Sequence, residues 1–460
     1  MNISPFSTIE QLHRAIRSKK ISSEELTKSY LLRLKTIGAR HRAVAELTED
    51  LALRQARIAD ERIAKNERVG KLHGIPYGAK DLLATKGIPT RWGSPGHSDQ
   101  VFDYDATVVE RLRDAGAVLA AKLSMIELAG GGNYNWAHAS ANGACLCAWD
   151  KSRWAGGSSS GSGAAAALGL VGFTLGSETS GSITCPSAFN GATGFRPTYG
   201  RVSRFGAMAL CWTLDKIGPI CRSAECCAAV LQAISGHDAR DASSVLGPLN
   251  LSAPKKKLRI GLLPEAFDEN QAVACKKAYQ DAVEVFRKLD YEIVEVKYPD
   301  LPYWMAISII VDAEGASAHE HFIRGPRFKE LADVSQVGGF ASALDVKAVD
   351  YLWALRFRTE ALRANEVWTK CDCVFSPVFY HAAPPIDRPF SETFANMGGD
   401  LGPANLLGWP AMAFPIGFED GAPLGGQIIA PALEERICLK VVRDFQRETD
   451  YHLLTPLGTA

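Results

Sequence analysis

The sequence predicts an α/β fold with a largely parallel or mixed central β-sheet. From about residue 71, short apolar runs typical of buried strands alternate with glycines and with segments whose apolar residues recur at helical spacing. Strands separated by helices indicate such a sheet, because parallel neighbours are joined by a connection that crosses one face. The 460 residues, of which 47% are hydrophobic and 22% charged, suffice for one large domain or two.

The first 66 residues are predicted to be helical and to pack on the outside of this core. Two capping boxes, at residues 7–11 and 22–25, each open a segment with apolar residues at helical spacing. A third helix is predicted at about residues 48–66, with many charged residues on one face. The remainder, residues 67–460, is predicted to form one catalytic domain.

Within this domain the predicted strands and helices follow one another along the chain. Strands are predicted at 118–121, 169–175, 258–263 and 292–296. A hairpin is predicted from strands at 411–416 and 427–429 around a turn at 421–426. Helices are predicted at 107–117, 272–289 and 432–449, with helical insertions at about 300–370. The motifs that carry the chemistry lie within 71–222.

Charge and composition exclude several classes of protein. The chain has 51 lysine and arginine residues and 51 aspartate and glutamate residues. We therefore expect no nucleic-acid partner, because a protein that binds nucleic acid requires a basic surface. The longest weakly polar stretch, 163–176, is shorter than the ~20 residues of a membrane span, and the N-terminus lacks a secretory signal. Eleven cysteines without paired CxxC spacing indicate reduced thiols. We therefore expect a cytoplasmic protein with no metal, no cofactor and no membrane contact.

Two serine- and glycine-rich stretches are candidates for chemistry. The first, Gly156–Gly163, has the composition of a flexible linker, but an apolar run follows it at once, so both interpretations stay open. The second, Gly176–Pro186, follows an apparent strand. A strand that leads into a tight turn presents a serine hydroxyl beside free backbone N–H groups, which stabilise a developing oxyanion.

A serine hydroxyl needs a base, and no motif here signals a histidine-centred triad. Lys80 lies upstream in a glycine-punctuated apolar stretch. Burial can lower the pKa of a lysine enough to leave its amine uncharged, and Ser–Lys variants of the hydrolase triad are established chemistry. Lys80 is therefore the candidate base.

At these motifs the chain resembles the amidase signature family. The matching segments occur in the family's order and cover roughly residues 60–450. They are Gly74-Ile75-Pro76 with Lys80-Asp81, Gly156-Gly157-Ser158-Ser159, Gly181-Ser182-Ile183 with Pro186, Gly194–Thr198, Gly200–Ser203, Asp215–Pro219, Gly408–Ala411 and Gly421–Gln427. The resemblance implies the family's fold, a central mixed, twisted β-sheet covered by α-helices on both faces.

The resemblance also implies roles for individual residues. Ser182 matches the family's nucleophile, Ser158 the serine that follows a cis peptide bond, and Lys80 the base. A proton would pass from Ser182 to Ser158 and from Ser158 to Lys80. The family's oxyanion hole is matched by the backbone N–H groups of Thr179, Ser180, Gly181 and Ser182.

The turn before Ser182 departs from the family's commonest pattern. Many members have Asp where this chain has Glu178, Gly where it has Ser180, and Arg where it has Thr184. Because that Asp and Arg tend to pair, we interpret their joint absence as one coupled change. Ser180 is also bulkier than glycine and is expected to narrow one side of the pocket.

A second departure concerns the segment Gly130, Gly131 and Gly132, called the glycine loop below. Relatives often carry a larger residue near Gly130, so the three glycines are expected to widen the substrate site. Tyr134 and Trp136 are expected to supply an aromatic wall for a bulky or aromatic group. A structural turn is an equally open interpretation of this segment.

We therefore expect an amidohydrolase that cleaves a linear C–N bond of a small amide or carbamate through a Ser-cisSer-Lys triad and an acyl-enzyme. Esters and urethanes are within the same chemistry, because all of them form a tetrahedral intermediate at a carbonyl. The alternative is the A subunit of a glutamine-dependent tRNA amidotransferase, against which the glycine loop and the altered turn argue mildly. A homodimer is the expected assembly if there is one, since dimers are common among relatives.

Overall fold

The computed structural model describes residues 3–264, 271–394, 402–456 and 458. Within these ranges, eleven strands form one sheet that is flanked by helices, which confirms the predicted α/β class. The strands are β1 (Val44–Leu47), β2 (Pro76–Lys80), β3 (Val118–Leu123), β4 (Phe173–Glu178), β5 (Thr193–Arg196), β6 (Lys216–Cys221), β7 (Arg259–Leu262), β8 (Glu292–Glu295), β9 (Cys373–Pro377), β10 (Ala411–Glu419) and β11 (Ala422–Ile429).

The helices lie before, between and after these strands. They are α1 (Ile9–Arg17), α2 (Ser23–Arg33), α3 (Glu49–Ala64), α4 (Thr107–Asp114), α5 (Ser160–Ala167), α6 (Thr184–Asn190), α7 (Ala224–Ile234), α8 (Val273–Lys288), α9 (Tyr303–Ile323), α10 (Val334–Ala343), α11 (Ala348–Ala361), α12 (Val367–Lys370), α13 (Phe390–Thr393), α14 (Gly402–Leu406) and α15 (Glu435–Glu448). The predicted helical content of about 300–370 is confirmed by α9 to α12.

The sheet is mixed, as predicted. In space its strands follow the order β1-β3-β2-β4-β6-β5-β10-β11-β9-β7-β8. Two parallel parts, β3-β2-β4 and β9-β7-β8, are joined by antiparallel strands. Helix α4 connects β2 to β3 and helix α8 connects β7 to β8, which is how parallel neighbours are usually joined.

The N-terminal region is only partly as predicted. Thr8 and Ser22 cap α1 and α2 through the predicted capping boxes. Between α2 and α3, however, β1 pairs with β3 at one edge of the sheet, so the first 66 residues add a strand to the core as well as helices. Four residues are too few to show a period in the sequence, which is why this strand escapes prediction.

Two short helices, α5 and α6, begin within the serine- and glycine-rich stretches, where only loops are expected. Every residue of α5 is buried, and so is every residue of α6. A Cβ on Gly161 would lie 2.3 Å from the Ala43 carbonyl oxygen, and one on Gly163 would lie 2.6 Å from that of Pro186. The first stretch is therefore no linker, because its small residues let α5 approach its neighbours closely.

The predicted hairpin exists, but its turn is misplaced in the prediction. β10 and β11 pair over almost their whole length, and the chain reverses at Asp420 and Gly421. The segment predicted as the turn belongs to β11. A Cβ on Gly425 would lie 2.3 Å from that of Ala188, and one on Gly426 would lie 2.6 Å from the Phe375 ring, so these glycines permit close packing.

The eleven cysteines all lie in the described part of the chain, where each is buried and free. Over the same residues, no helix has the length and apolar character needed to cross a membrane. The described residues also contain no group of three or more His, Cys, Asp or Glu side chains arranged to hold a metal ion.

Candidate active site

The candidate site lies where two parallel strands end side by side. β2 ends at Lys80, and its parallel neighbour β4 ends at Glu178. Because Ala79 pairs with Leu175, the register brings Lys80 close to Ser177. Open α/β sheets bind ligands at the carboxyl ends of such strands.

Lys80, Ser158 and Ser182, the residues predicted to form the proton relay, are in contact with one another. Lys80 Nζ lies 2.7 Å from Ser158 Oγ, and Ser158 Oγ lies 3.0 Å from Ser182 Oγ. Ser182 is 8% exposed, against 0% for Lys80 and 1% for Ser158, so solvent reaches these three hydrogen-bonded side chains mainly at Ser182. Hydroxyl hydrogens rotate, so the chain can pass a proton in either direction once the amine is uncharged.

The Lys80 amine is held in an environment that favours its uncharged form. Burial lowers the pKa of Lys80 from 10.5 to about 7, against the opposing effect of the Asp215 and Glu178 carboxylates. The amine also donates hydrogen bonds to Ser177 Oγ at 3.0 Å and to the Ser177 carbonyl at 3.5 Å. These contacts orient the amine toward Ser158, which is the geometry a general base requires.

Ser158 is fixed by its neighbours in the chain. It follows a cis peptide bond, Gly157–Ser158, as the family resemblance implies. A Cβ on Gly157 would lie 2.7 Å from the Trp154 ring, so only glycine fits there. On the other side, Ser159 Oγ donates to the Ser177 carbonyl at 3.1 Å and accepts from the Ser177 N–H at 3.2 Å.

The predicted oxyanion hole is the four-residue turn Thr179–Ser182, which lies in the five-residue segment between β4 and α6. Among the described residues, none accepts a hydrogen bond from the N–H groups of Thr179, Ser180, Gly181 or Ser182. The Cys185 N–H donates to the Gly181 carbonyl at 2.7 Å. Because C=O and N–H point in opposite directions across a planar trans peptide, this bond turns the Ser182 N–H away from α6. Unpaired N–H groups beside a hydroxyl are what an oxyanion hole requires.

Glu178 connects this turn to the sheet through hydrogen bonds and an ion pair. One carboxylate oxygen accepts the N–H groups of Ile183 at 2.8 Å and Thr184 at 3.0 Å, and the other accepts from the Arg196 guanidinium at 2.7 Å. Burial alone would raise the pKa of Glu178, but Arg196 and Lys216 hold it at about 2. The Thr184 hydroxyl also donates to Glu178, so two of the departures from the family pattern are in direct contact.

Asp215 and Lys216 hold Thr179, the first residue of the turn. The Thr179 hydroxyl donates to Asp215, whose pKa is raised by burial and lowered in part by this hydrogen bond. Lys216 Nζ donates to the Thr179 carbonyl at 3.2 Å and to Asn405 Oδ1 at 3.3 Å. Burial, assisted by the Arg196 charge, lowers the pKa of Lys216 to about 7.

The glycine loop does not widen the site, and that expectation is wrong. A Cβ on Gly130 would lie 2.6 Å from the Tyr134 ring, and one on Gly131 would lie 2.4 Å from the Phe340 ring. A Cβ on Gly132 would lie 2.6 Å from Phe340 as well. Helix α10 and Tyr134 therefore occupy the space that these glycines leave.

Tyr134 belongs to a packed aromatic cluster. Its ring centroid lies 6.1 Å from that of Trp154 and 5.6 Å from that of Phe390, both in edge-on geometry. Trp136 stacks instead on His138, at 5.4 Å, so the two predicted wall residues pack against different aromatic partners. Substrate contact by Gly130–Gly132 and Tyr134 stays a prediction.

A cavity of about 520 Å³ lies on another side of the site, next to Ser177 and Thr179. Ala129, the residue before the glycine loop, also contributes to its wall. Most of the wall is apolar and comes from the segment between β5 and β6, with Phe205, Met208, Leu210 and Trp212. Lys80, Ser158 and Ser182 are not among its lining residues, so the cavity adjoins the site at Ser177 and Thr179.

Several residues that shape the site receive no role in the sequence-based prediction. Arg196, Asp215 and Lys216 lie within motif segments that carry the family resemblance, and Asn405 lies just before one. The sequence did contain one indication of a role for Lys216. This lysine begins an otherwise apolar strand, where its side chain is buried. Ser177 had no signal beyond its place in a serine-rich turn.

Comparison with known proteins agrees with this geometry. A family profile described as Amidase matches residues 25–439. The A subunit of glutamyl-tRNA(Gln) amidotransferase from Coxiella burnetii (strain Dugway 5J108-111) is 35% identical over 481 residues, covering 98% of this chain and 99% of the relative. The native peptide amidase from Stenotrophomonas maltophilia superposes with a TM-score of 0.83 at 27% identity, covering 96% of this chain and 97% of that chain.

A bacterial aryl acylamidase of the amidase signature enzymes family superposes with a TM-score of 0.86 at 20% identity, covering 98% of each chain, and shows the same fold. The family profile and the relative at 35% identity each span nearly the whole sequence. The chain therefore belongs to the amidase signature family and is a hydrolase that acts on carbon–nitrogen bonds.

Proposed function

We propose that this protein hydrolyses an amide bond with Ser182 as the nucleophile, Ser158 as the proton relay and Lys80 as the general base. The observation that carries the proposal is the unbroken chain of 3.0 Å and 2.7 Å contacts from the Ser182 hydroxyl to a buried amine. A hydroxyl is a weak nucleophile until a base removes its proton, and an amine with a pKa of about 7 can do so at neutral pH.

In the first half-reaction, uncharged Lys80 accepts the proton of Ser158 while Ser158 accepts that of Ser182. Ser182 Oγ attacks the amide carbon, and the carbonyl oxygen becomes an oxyanion that the N–H groups of Thr179–Ser182 stabilise. The C–N bond breaks as the proton returns along the same chain to the departing nitrogen. The products are a free amine, or ammonia from a primary amide, and an ester of Ser182.

In the second half-reaction, water replaces the amine. The same chain takes a proton from water, whose oxygen attacks the ester carbon in the same oxyanion hole. Collapse of this intermediate breaks the bond to Ser182 Oγ and returns the proton to it, which releases the carboxylic acid. The balance is one amide and one water consumed for one acid and one amine formed.

For the substrate, the relatives favour the expected alternative, the A subunit of a glutamine-dependent tRNA amidotransferase. A protein of that name is 35% identical over nearly the full length of both chains. In that role the substrate is the side-chain carboxamide of glutamine, the leaving group is ammonia, and partner subunits with a tRNA substrate complete the assembly. The protein is then expected in the cytoplasm. The glycine loop no longer argues against this assignment, because neighbouring residues occupy the space beside its glycines.

A free-standing amidase for bulkier amides, carbamates or aryl esters is the second candidate. The observation in its favour is the largely apolar cavity of about 520 Å³ beside Thr179, which exceeds the needs of a carboxamide side chain. The peptide amidase at 27% identity supports this class of substrate as well.

Covalent labelling tests the mechanism independently of the substrate. A fluorophosphonate probe is expected to modify wild-type protein at Ser182, found by mass spectrometry of the labelled peptide, and to leave Ser182→Ala unmodified. Ser160→Ala is the matched control, since this buried serine starts α5 and its hydroxyl has no hydrogen-bond partner among the described residues. Labelling that persists in Ser182→Ala would refute the nucleophile assignment.

The purified chain alone distinguishes the two substrates. Free-standing amidase function predicts turnover of anilides or carbamates without any added protein. Amidotransferase function predicts little activity alone and glutamine-dependent ammonia release once partner subunits are supplied. Vigorous anilide hydrolysis by the isolated chain, with no glutaminase activity in the complex, would exclude the first assignment.

A further inference from the structure

Lys216 is a buried lysine that the proton relay does not use. It opens β6 and pairs in register with Glu178, the last residue of the neighbouring strand β4. Its side chain is 2% exposed, and its amine donates to the Thr179 carbonyl at 3.2 Å and to Asn405 Oδ1 at 3.3 Å. A lysine held in the interior in this way stands out, since lysine is among the residues least often buried.

The Thr179 carbonyl and the Ser180 N–H belong to one peptide plane. In a planar trans peptide the two groups point in opposite directions, so an interaction that fixes one of them fixes the other. The next such plane but one, Gly181–Ser182, is fixed by a backbone N–H of α6, through the bond from Cys185 to the Gly181 carbonyl. For the Thr179–Ser180 plane, the corresponding donor is the side chain of Lys216.

We propose that Lys216 is a positioning residue that aims the Ser180 N–H at the carbonyl oxygen of the substrate. It holds the Thr179 carbonyl on the Lys216 side of the turn, which leaves the Ser180 N–H pointing to the other side. This inference rests on the proposed function, because it assigns Lys216 a task within the same oxyanion hole.

The hydrogen bonds of Lys216 do not require its positive charge. Burial and the Arg196 charge lower the pKa of Lys216 to about 7, against the opposing effect of Glu178, Asp215 and Cys211, which also face it. A protonated amine has three N–H groups and an uncharged one has two, so both forms can serve the two acceptors. The role is therefore to donate to the Thr179 carbonyl, and a neutral donor should replace lysine in part.

Two variants separate this role from simple structural support. Lys216→Met keeps the aliphatic stem and removes the donor, and Lys216→Gln restores a neutral donor on a shorter side chain. Loss of one oxyanion-hole donor costs about 10²-fold or more in kcat, and an interaction made only in the transition state lowers kcat with little change in KM. We expect Lys216→Met to lower kcat about 10²-fold with KM within about 3-fold, and Lys216→Gln to recover about 10-fold of that loss.

Two measurements keep the outcome interpretable. The final extent of fluorophosphonate labelling reports an intact Ser182, and thermal unfolding reports the fold. If Lys216→Met does not fold, Lys216→Gln decides alone: a lower kcat at unchanged KM supports the proposal, and a rise in KM that accounts for the loss overturns it. Equal losses in both variants, or kcat within about 3-fold of wild type in Lys216→Met, would also overturn it. Labelling that fails to depend on Ser182 would instead refute the proposed function.

Discussion

The turn Thr179–Ser182 and the glycine loop are both small-residue segments of the predicted site, yet the structure uses them in opposite ways. The turn leaves four consecutive N–H groups without acceptors among the described residues, while its Thr179 and Gly181 carbonyl groups accept hydrogen bonds from Lys216 and from the Cys185 N–H. The glycine loop has no room to spare, because α10 and Tyr134 contact every position where a side chain would begin.

The difference lies in what each segment packs against. The turn follows directly from β4 and is held by neighbouring strands, β5 and β6, through Arg196 and Lys216. The glycine loop packs against Phe340, which is far away in the chain. Glycine in a sequence therefore marks a close approach as readily as an open space, and only the partner decides which.

Breaking the proton chain should have the largest effect. Lys80→Met and Ser158→Ala each remove one member of the relay and are expected to lower kcat about 10⁴-fold, because groups that act as a unit fail together. The double variant should be no slower than the worse single variant by more than a few-fold. Steady-state hydrolysis at saturating substrate measures this, and losses that multiply would contradict a single relay.

Removing the charge of Glu178 should affect stability more than any change in the glycine loop. Glu178→Gln leaves the Arg196 guanidinium buried without a counter-charge, which typically costs about 3–5 kcal/mol of unfolding free energy. Glu178 keeps its stabilising charge above its folded pKa of about 2, so the loss should be present throughout the neutral range. Urea denaturation measures it.

The matched control is Glu434→Gln, which removes one member of the partly exposed ion pair with Arg436. Such a pair contributes little to the free energy of unfolding, so the unfolding midpoint of Glu434→Gln should stay near that of wild type. If Glu178→Gln were as stable as this control, the account of the turn as fastened by Glu178 would be wrong.

Two adjacent glycines of α10, Gly338 and Gly339, differ in the space that surrounds them beside the glycine loop. Gly339→Ala would place a Cβ 1.9 Å from the Gly132 carbonyl oxygen, whereas nothing lies within 4 Å of a Cβ at Gly338. Overpacking at a close contact costs about 1–3 kcal/mol, so Gly339→Ala should lower the unfolding free energy by that much.

Gly338→Ala should be neutral or stabilising by up to about 1 kcal/mol, because alanine favours a helix over glycine. The same urea titration serves both variants. Equal stability of the two alanine variants would show that the loop has spare room after all, and would restore the original expectation of a widened site.

Much of the fold follows from the sequence. The apolar runs at 258–263 and 292–296 predict β7 and β8 within a residue or two. The 3.6-residue period predicts α8 within one residue and α15 within three. The helices α5 and α6 do not follow, because alanine, glycine and serine show no amphipathic period and Pro186 suggests a loop. Tertiary packing of small residues, rather than local preference, stabilises them.

Only those residues of the site that lie in recognisable sequence motifs could be given a role from the sequence. The family resemblance identifies Ser158 and Ser182, and the chemistry of a buried lysine together with that resemblance identifies Lys80. Their proximity depends on the parallel pairing of β2 with β4. The residues that hold the turn Thr179–Ser182 could not be identified from motifs. Asn405 contacts Lys216 across 189 residues of sequence, and no local pattern links the two.

In the proposed mechanism an uncharged Lys80 draws the proton of Ser182 through Ser158. The pH dependence of kcat/KM for a slowly hydrolysed amide tests it most directly. With a pKa of about 7, Lys80 becomes a base as the pH rises, so the rate should increase about tenfold per unit below pH 7 and level off above about pH 8. A rate that is flat from about pH 5 to 9, or the same rise remaining in Lys80→Met, would contradict the account.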